Sequence, residues 1–352
     1  MSEMRAAVFE KAGMLEIKDI PKPSPGHEEA LIKMITAGVC HSDLHMAHGD
    51  WPNILTPPFT LGHEGIGIVE ELGPDAEGIV QKGDRVILGL GGAGGGYWCG
   101  ACEDCLAGRP MFCEHTKMAM GTFGEYMPIW AKGLVKLPDE VSDSEVPLAC
   151  GGLTAYSAVK KLIKFGVSPG KPVAIIGAAG GLGHYAVQIA KALGYNVIGV
   201  DIGEEKLEFV KKMGADHAIE ANKVSGFVAK SYGGGYTNGV HASIVFSPKI
   251  ASFSLGIRIL RRRGIFVGVG LPAMKEGTIP LMPLEFVAKG LHLIGSAVGT
   301  VEEMRELVQL AADGKVKTHI GRTANLSEIN QVFEELEQGK YVGRAIIDNF
   351  TK

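Results

Sequence analysis

The pattern of apolar and polar residues changes near position 150 and divides the chain into two regions. In the first region, short apolar runs alternate with clusters of Pro and Gly, which is typical of β-strands joined by tight turns. These runs lie at 6–9, 15–17, 30–35, 65–72 and 85–88. No helical periodicity of any length precedes Cys40. The first 150 residues are therefore predicted to be rich in β-structure.

In the second region, apolar strands alternate with helical segments. The predicted strands lie at 171–176, 196–201, 218–219, 241–246, 265–269 and 291–294. The predicted helices between them lie at 184–193, 204–213, 224–231 and 250–260. This alternation predicts an α/β fold with a doubly wound parallel sheet. Two later helices, 301–312 and 326–338, are expected to pack back on the first region.

A glycine-rich stretch, 177–183, directly follows the first strand of the second region. Glycines let the backbone approach a pyrophosphate, whose charge then lies at the N-terminus of the next helix. Asp201 ends the following strand, where an acid accepts hydrogen bonds from adenosine ribose hydroxyls and repels a 2′-phosphate. NAD is therefore predicted in preference to NADP. The predicted contacts in this stretch and strand are Gly177, Gly180, Gly181, Leu182, Gly183 and Asp201.

Metal-binding side chains come from three separate stretches of the chain. Cys40 lies in the stretch 38–45, which follows an apolar run and is expected on a loop where a strand ends. His63 is followed by Glu64, and Cys150 lies just before two glycines. Two Cys and one His are a ligand set that holds zinc and leaves one position open for catalysis. The alternative is three unrelated buried residues.

Four further cysteines, Cys99, Cys102, Cys105 and Cys113, have the spacing C-x2-C-x2-C-x7-C. Four thiolates this close together can surround a zinc ion completely and leave no room for substrate. A structural zinc is therefore predicted. A four-thiolate iron–sulfur site uses similar spacing and is the alternative. Six glycines lie at 89–96, just before this motif.

Composition narrows the possible partners and location. The 352 residues are 46% hydrophobic and 21% charged, with a formal net charge of -4. This charge gives no electrostatic footprint for nucleic acid, and the basic run 261–263 is expected at a solvated helix end. No stretch reaches the roughly 18 apolar residues of a membrane span, and no signal peptide is visible. We expect a soluble, cytoplasmic protein whose cysteines bind metal rather than form disulfides.

These motifs together resemble the zinc-dependent medium-chain alcohol dehydrogenases over essentially the whole chain, and are similar to their tetrameric microbial branch. The stretches that carry the resemblance are 38–45, 48–51, 62–65, the four-cysteine motif, 150–156 and 177–183. The resemblance implies a GroES-like catalytic domain at 1–151 and 296–352, with a zinc lobe at about 95–115. It implies a Rossmann domain at 152–295. It also implies a homo-oligomer, with a tetramer favoured and a dimer possible.

The resemblance also implies roles for individual residues. Cys40, His63 and Cys150 are zinc ligands, Glu64 is an alternative ligand, and Asp43 orients His63. Ser42 and His45 relay the proton that the alcohol loses. Further cofactor contacts are expected from His41, Thr154, Lys206, Val267 and Arg344, and a substrate-pocket or core-packing role from Trp51.

The expected activity is oxidation of primary or secondary alcohols to aldehydes or ketones with NAD, and the reverse reaction, using two zinc ions per subunit. A polyol dehydrogenase or another zinc-dependent medium-chain dehydrogenase is the first alternative. A zinc-free quinone or enone reductase would have no use for Cys40, His63 and Cys150. A catalytically inactive NAD-binding protein is the alternative from another class.

Overall fold

The computed structural model describes residues 2–50, 56–88, 95–233, 238–272 and 276–351. The chain forms two compact units. The first unit comprises Met1–Leu153, Val298–Gly314 and Thr318–Lys352. The second unit comprises Thr154–Ala297 and Lys315–Lys317. Trp51 and residues 89–94 of the glycine run lie outside the described residues.

The strands in the described part of the chain are β1 (Glu3–Phe9), β2 (Glu16–Pro21), β3 (Glu29–Val39), β4 (Phe59–Thr60), β5 (Glu64–Leu72), β6 (Arg85–Leu88), β7 (Gly95–Tyr97), β8 (Lys117–Met118), β9 (Tyr126–Trp130), β10 (Leu134–Lys136), β11 (Pro172–Ile176), β12 (Asn196–Asp201), β13 (His217–Glu220), β14 (Val240–Val245), β15 (Leu260–Gly268), β16 (His292–Gly295), β17 (Ile320–Asn325) and β18 (Arg344–Asn349).

The α-helices are α1 (His41–His48), α2 (Glu103–Leu106), α3 (Gly151–Lys164), α4 (Gly183–Ala192), α5 (Glu204–Lys212), α6 (Val224–Tyr232), α7 (Ile250–Arg258), α8 (Pro283–Lys289), α9 (Val301–Ala312) and α10 (Ile329–Glu337). Short 3-10 helices span Pro110–Phe112, Ala131–Gly133, Asp143–Ala149 and Leu326–Glu328.

The first unit is built around β3. This long, almost wholly buried strand pairs antiparallel with β5, β9 and β18, and β17 adds to β18 in parallel. Gly38 of β3 lies opposite Glu64, and Val39 lies opposite Ala345. The pairing therefore brings the end of β3 beside the starts of β5 and β18. The predicted β-rich character of this region is confirmed.

The second unit contains a parallel sheet of six strands in the order β13-β12-β11-β14-β15-β16. Helices α4 to α8 alternate with these strands along the chain, as in a doubly wound fold. Ile176 at the end of β11 lies opposite Val200 of β12. The glycine stretch follows β11, and Asp201 is the last residue of the neighbouring strand β12. Both therefore lie at the same edge of the sheet. The predicted α/β fold class is confirmed.

The prediction that stretch 38–45 lies on a loop is wrong. Strand β3 runs through Val39, and helix α1 begins at His41. The helix is specified by its ends rather than by apolar periodicity. Asp43 Oδ2 accepts the Cys40 N–H at 3.0 Å, and Gly49 ends the helix with a left-handed φ of 74°.

The basic run 261–263 is also placed differently from the prediction. Helix α7 ends at Arg258, and the three arginines belong to β15, where the register with β14 shifts. Arg263 has a positive φ of 58°, and Arg261 Nη1 lies 2.7 Å from His241 Nε2. The run therefore belongs to a strand and not to a helix end. At the register shift β15 contains extra residues relative to β14.

Candidate active site

The end of β3 carries a group of metal-binding side chains. Cys40 directly follows β3, His63 directly precedes β5, and Glu64 is the first residue of β5. Cys150 lies between the 3-10 helix Asp143–Ala149 and α3. One potential ligand atom from each of these residues lies within 4.8 Å of the others. The first unit therefore brings these four side chains, which the sequence separates by up to 110 positions, into one group.

Asp43 orients two members of this group at once. Its fully buried carboxylate contacts His63 Nδ1 at 2.7 Å through Oδ1, and accepts the Cys40 N–H through Oδ2. A carboxylate at Nδ1 fixes the tautomer in which Nε2 carries the lone pair that a metal needs. Burial opposes a charged imidazole, but Asp43 holds the pKa of His63 well above its ordinary value.

The two thiols of the group differ in the direction of their pKa shifts. A hydrogen bond from Cys150, against the effect of burial, holds the pKa of Cys40 well below its ordinary value. The same hydrogen bond and burial raise the pKa of Cys150. Thiolates are the form in which cysteine binds metal. Two sulfurs and an imidazole nitrogen at this spacing fit zinc.

Glu64 is held by Arg344 and by a backbone N–H group. Arg344 Nη2 donates to Glu64 Oε1 at 2.6 Å and also to Oε2, and the Gly151 N–H donates to Oε1 at 3.2 Å. Burial raises the pKa of Glu64 to about 7, and Arg344 opposes this. Sequence reasoning connected Arg344 with cofactor phosphates and missed this ion pair. The register of β3, β5 and β18 that creates it is not visible in the sequence.

Gly38 is required by this arrangement. A Cβ atom at this position would lie 2.0 Å from Glu64 Oε2. Any larger residue would therefore displace the carboxylate from Arg344.

The two expected relay residues lie on α1. Ser42 and His45 are each partly buried, and His41 at the start of the helix is exposed. His45 Nδ1 lies 2.8 Å from Asp50 Oδ2. Asp50 is a partner that sequence reasoning did not assign, although it lies only five residues away within the stretch 48–51 that carries the family resemblance.

The four remaining cysteines also form one group. Their sulfurs lie within 4.8 Å of one another, and the regular structure between Cys99 and Cys113 consists of α2 and a 3-10 helix. Backbone N–H groups point at the sulfurs: those of Ala101 and Cys102 donate to Cys99, and that of His115 donates to Cys113. The side chains of Leu106 and Phe112 are exposed. The lobe therefore depends on its thiols rather than on an apolar core.

The glycine stretch in the second unit is closely packed. Gly177 has a φ of 81°, and a Cβ at Gly183 would lie 2.0 Å from the Gly177 carbonyl oxygen. Asp201 accepts the Ala179 N–H at 2.8 Å, and Lys206 Nζ lies 4.0 Å from its Oδ1. The other predicted contacts in this unit are Gly180 and Gly181 in the loop, Leu182 at the N-cap of α4, Thr154 on α3 and Val267 buried in β15.

Within the described residues, no helix combines the length and apolarity needed to cross a membrane. Residues 26–139 match the family model of the alcohol dehydrogenase GroES-like domain, and residues 181–313 match that of the zinc-binding dehydrogenase domain.

Full-length relatives agree with these matches. An alcohol dehydrogenase of Geobacillus stearothermophilus is 42% identical, with 98% of both chains covered. An alcohol dehydrogenase of Moraxella sp. (strain TAE123) is 38% identical, covering 98% of this chain and 99% of the relative. The solved structure of an Aeropyrum pernix alcohol dehydrogenase is similar with a TM-score of 0.86 and 35% identity, over 98% of this chain and 99% of that one. The chain belongs to the zinc-binding, GroES-like alcohol dehydrogenase family of medium-chain dehydrogenases.

Proposed function

We propose that this protein is an NAD-dependent alcohol dehydrogenase that interconverts primary or secondary alcohols and the matching aldehydes or ketones. The observation that carries the proposal is the group formed by Cys40, His63, Glu64 and Cys150. It provides two thiols, one imidazole and the carboxylate of Glu64, which forms an ion pair with Arg344. A ligand set that leaves one position available suits catalysis rather than structure.

We propose two zinc ions per subunit, one for each group. Cys40, His63 and Cys150 would hold the catalytic ion, and the four cysteines of the lobe would hold the structural one. Zinc at the first group supplies Lewis acidity that lowers the pKa of an alcohol hydroxyl group, and NAD supplies the hydride acceptor. The Cys40 and Cys150 thiols give up their protons when the ion binds, because thiolates are the ligands.

The protein's own residues move the proton that the alcohol loses. The Ser42 hydroxyl can accept this proton and pass it towards His45, which lies about one helical turn further along α1. The Asp50 carboxylate lies beside Nδ1 of His45, where it favours uptake of the proton by the imidazole. The Asp50 carboxylate then stabilises the charged imidazolium. Ser42 and His45 are thus proposed as the relay.

NAD binding is proposed at the glycine stretch of the second unit. The N–H groups of Gly177 to Gly180 are bonded within the chain, so those of Gly181, Leu182 and Gly183 at the N-terminus of α4 are proposed for the pyrophosphate. The Asp201 carboxylate is proposed for ribose hydroxyls. Lys206 is placed near the same carboxylate. The contacts proposed within this unit are Gly177, Gly180, Gly181, Leu182, Gly183, Asp201, Lys206, Thr154 and Val267.

We propose the domain bounds 1–151 with 296–352 for the catalytic domain and 152–295 for the cofactor domain, which the two compact units support. A homo-oligomer is proposed through β16, which ends its sheet. The exposed side chains of Leu284, Val287 and Leu293 would be covered by a second copy. Sedimentation as a monomer at working concentration would exclude this. Thiols that serve as metal ligands favour a cytoplasmic location.

The proposal is tested by zinc content per subunit and by NAD reduction with a panel of alcohols and polyols, before and after chelation. We expect two zinc ions, and turnover that is lost on chelation and restored by zinc. Faster turnover of polyols would favour a polyol dehydrogenase. Turnover that survives chelation would reject the catalytic zinc, and bound NAD without any turnover would indicate a binding protein.

A further inference from the structure

The third thiol, Cys150, depends on the segment that precedes it. Cys150 lies between the 3-10 helix Asp143–Ala149 and α3 and belongs to neither helix. On its C-terminal side the Gly151 N–H is held by Glu64, and on its N-terminal side its position depends on how firmly the 3-10 helix is attached to the rest of the first unit. The backbone just after Cys150 is closely packed, since a Cβ at Gly152 would lie 2.6 Å from the Leu148 side chain.

One attachment lies at the start of this helix. Arg85 Nη1 donates to Asp143 Oδ1 at 2.7 Å, and Arg85 Nη2 donates to the Pro138 and Val141 carbonyl oxygens at 2.7 Å. The Thr36 hydroxyl donates to the Asp143 carbonyl oxygen at 2.8 Å. These contacts fix where the helix begins, seven residues before the thiol.

The second attachment is closer to the ligand and is buried. Glu145 is only 6% exposed, and its Oε2 accepts both the Thr318 N–H at 2.8 Å and the Thr318 hydroxyl at 2.5 Å. Thr318 is itself 7% exposed. A buried carboxylate is costly unless hydrogen bonds compensate it, and bonds to a charged acceptor contribute more than neutral ones. The Glu145–Thr318 pair is therefore a firm anchor between two segments that lie 173 residues apart.

We propose that Glu145 is a positioning residue for the catalytic metal: through Thr318 it anchors the 3-10 helix that presents the Cys150 thiolate. This role rests on the proposed function, in which Cys40, His63 and Cys150 hold a catalytic zinc. Metal ligands must be held within about 0.5 Å of productive geometry by the surrounding contacts. Glu145 does not touch the metal, so its effect acts on how well Cys150 matches Cys40 and His63.

The experiment compares metal release from the two zinc groups of one protein. Purified, zinc-loaded variants are dialysed against a graded series of chelator concentrations, and the remaining zinc per subunit is measured. Cys150→Ser identifies the release step that belongs to the catalytic group. The zinc of the four-cysteine lobe serves as the internal reference. Cobalt substitution adds a spectroscopic measure of thiolate coordination that does not depend on turnover.

Four variants form a matched set. Glu145→Gln removes the charge and Thr318→Val removes the hydroxyl, whereas Thr318→Ser keeps the hydroxyl. Glu140→Gln removes an exposed carboxylate from the same approach segment and is the control. We expect Glu145→Gln to lower the zinc affinity of the catalytic group about tenfold, as loss of a supporting contact does, and to leave the lobe unchanged. Thr318→Val should have a smaller effect, and Thr318→Ser and Glu140→Gln should match the natural protein.

Equal zinc release from the catalytic group in the natural protein and in Glu145→Gln, with only the melting temperature lowered, would overturn the proposal and leave Glu145 a purely structural role. If Glu145→Gln fails to fold, the contrast between Thr318→Val and Thr318→Ser decides in the same way. A natural protein that retains zinc only in the lobe would instead overturn the proposed zinc site itself, and with it this inference.

Discussion

The two cysteine-containing groups of this protein are assembled in opposite ways. The catalytic group draws Cys40, His63 and Cys150 from three distant segments, whereas the lobe takes its four thiols from 15 consecutive residues. The catalytic group is supported by buried charges, Asp43 and the Glu64–Arg344 pair. The lobe is supported by backbone N–H groups that point at its sulfurs.

With the metal roles proposed above, this difference relates the support of each group to the role of its metal. A structural ion needs only a closed set of ligands, and a short loop provides these by turning its own backbone towards the sulfurs. A catalytic ion must keep a position available and hold its remaining ligands without the help of a fourth thiolate. The fold meets this need by ending β3 beside β5 and β18.

Removing one sulfur from each group should reveal the largest difference between the two groups. Cys150→Ser is expected to lower kcat/KM for alcohol oxidation about 1000-fold or more, because the Lewis acid supplies several kcal/mol of stabilisation in the transition state. Zinc in the lobe should stay bound. Cys113→Ser should instead release the lobe zinc and lower the melting temperature, with initial turnover largely kept. The measurements are steady-state kinetics, zinc content and calorimetry. Equal loss of turnover in both variants would contradict the division of roles.

A methyl group added near each site is expected to have very different consequences. Gly38→Ala would place a Cβ 2.0 Å from Glu64 Oε2, whereas the same change at Gly100 in the lobe meets open space. Displacing Glu64 separates it from Arg344, and breaking a buried ion pair costs about 3–5 kcal/mol. Gly100→Ala should cost about 1 kcal/mol, because its φ is 69°. Urea unfolding of both variants tests this, and equal destabilisation would contradict it.

The sequence predicted the lobe more completely than the catalytic group, for a physical reason. Four cysteines at short spacing must lie close together. The grouping of Cys99 to Cys113 could therefore be predicted without knowledge of the fold. The proximity of Cys40 and Cys150 follows instead from strand order, so the sequence indicated it only through the types of the residues and the family resemblance. The Glu64–Arg344 pair, which depends on the register of three strands, was missed altogether.

The same limit explains the two elements that were placed wrongly. Helix α1 gives a weak apolar signal because it has only eight residues and one of its four buried residues is the charged Asp43. The other three, Leu44, Met46 and Ala47, pack in the apolar core of the first unit. Its signal was the Asp43 side chain at the third helical position, which caps the Cys40 N–H. The run at 261–263 was predicted at a helix end because cations are favoured near the C-terminus of a helix, yet it belongs to a strand with an irregular register.

Asp43 offers a smaller test of the charged support around the catalytic group. Asp43→Asn keeps the shape but removes the charge that holds the His63 tautomer and the Cys40 N–H. We expect zinc affinity at the catalytic group and kcat/KM to fall about 10- to 100-fold, as they do when the partner of a ligating histidine is lost. Asp19→Asn, on the exposed strand β2, is the matched control. Zinc affinity unchanged by Asp43→Asn would show that His63 is oriented by packing alone.

Thiol reactivity of the metal-free protein gives the finest comparison, within the lobe and between the two groups. The Cys105 N–H and other donors lower the pKa of Cys102 to about 6, whereas burial and the Cys102 thiol raise the pKa of Cys105 to about 12. After chelation, Cys102 should therefore be alkylated readily at about pH 7.5, and its rate should fall as the pH drops through about 6 and the thiolate is protonated.

Cys105 and Cys150 should stay largely unlabelled over the same range, because their raised pKa values keep them as thiols. Cys40 should also resist labelling although its pKa is low, because it is only 5% exposed. Peptide mapping by mass spectrometry after timed treatment with iodoacetamide measures all four rates in one sample. Equal labelling of Cys102 and Cys105 would mean that backbone donors do not set the thiolate of the lobe. Fast labelling of Cys40 would mean that the catalytic group opens to solvent once its metal is removed.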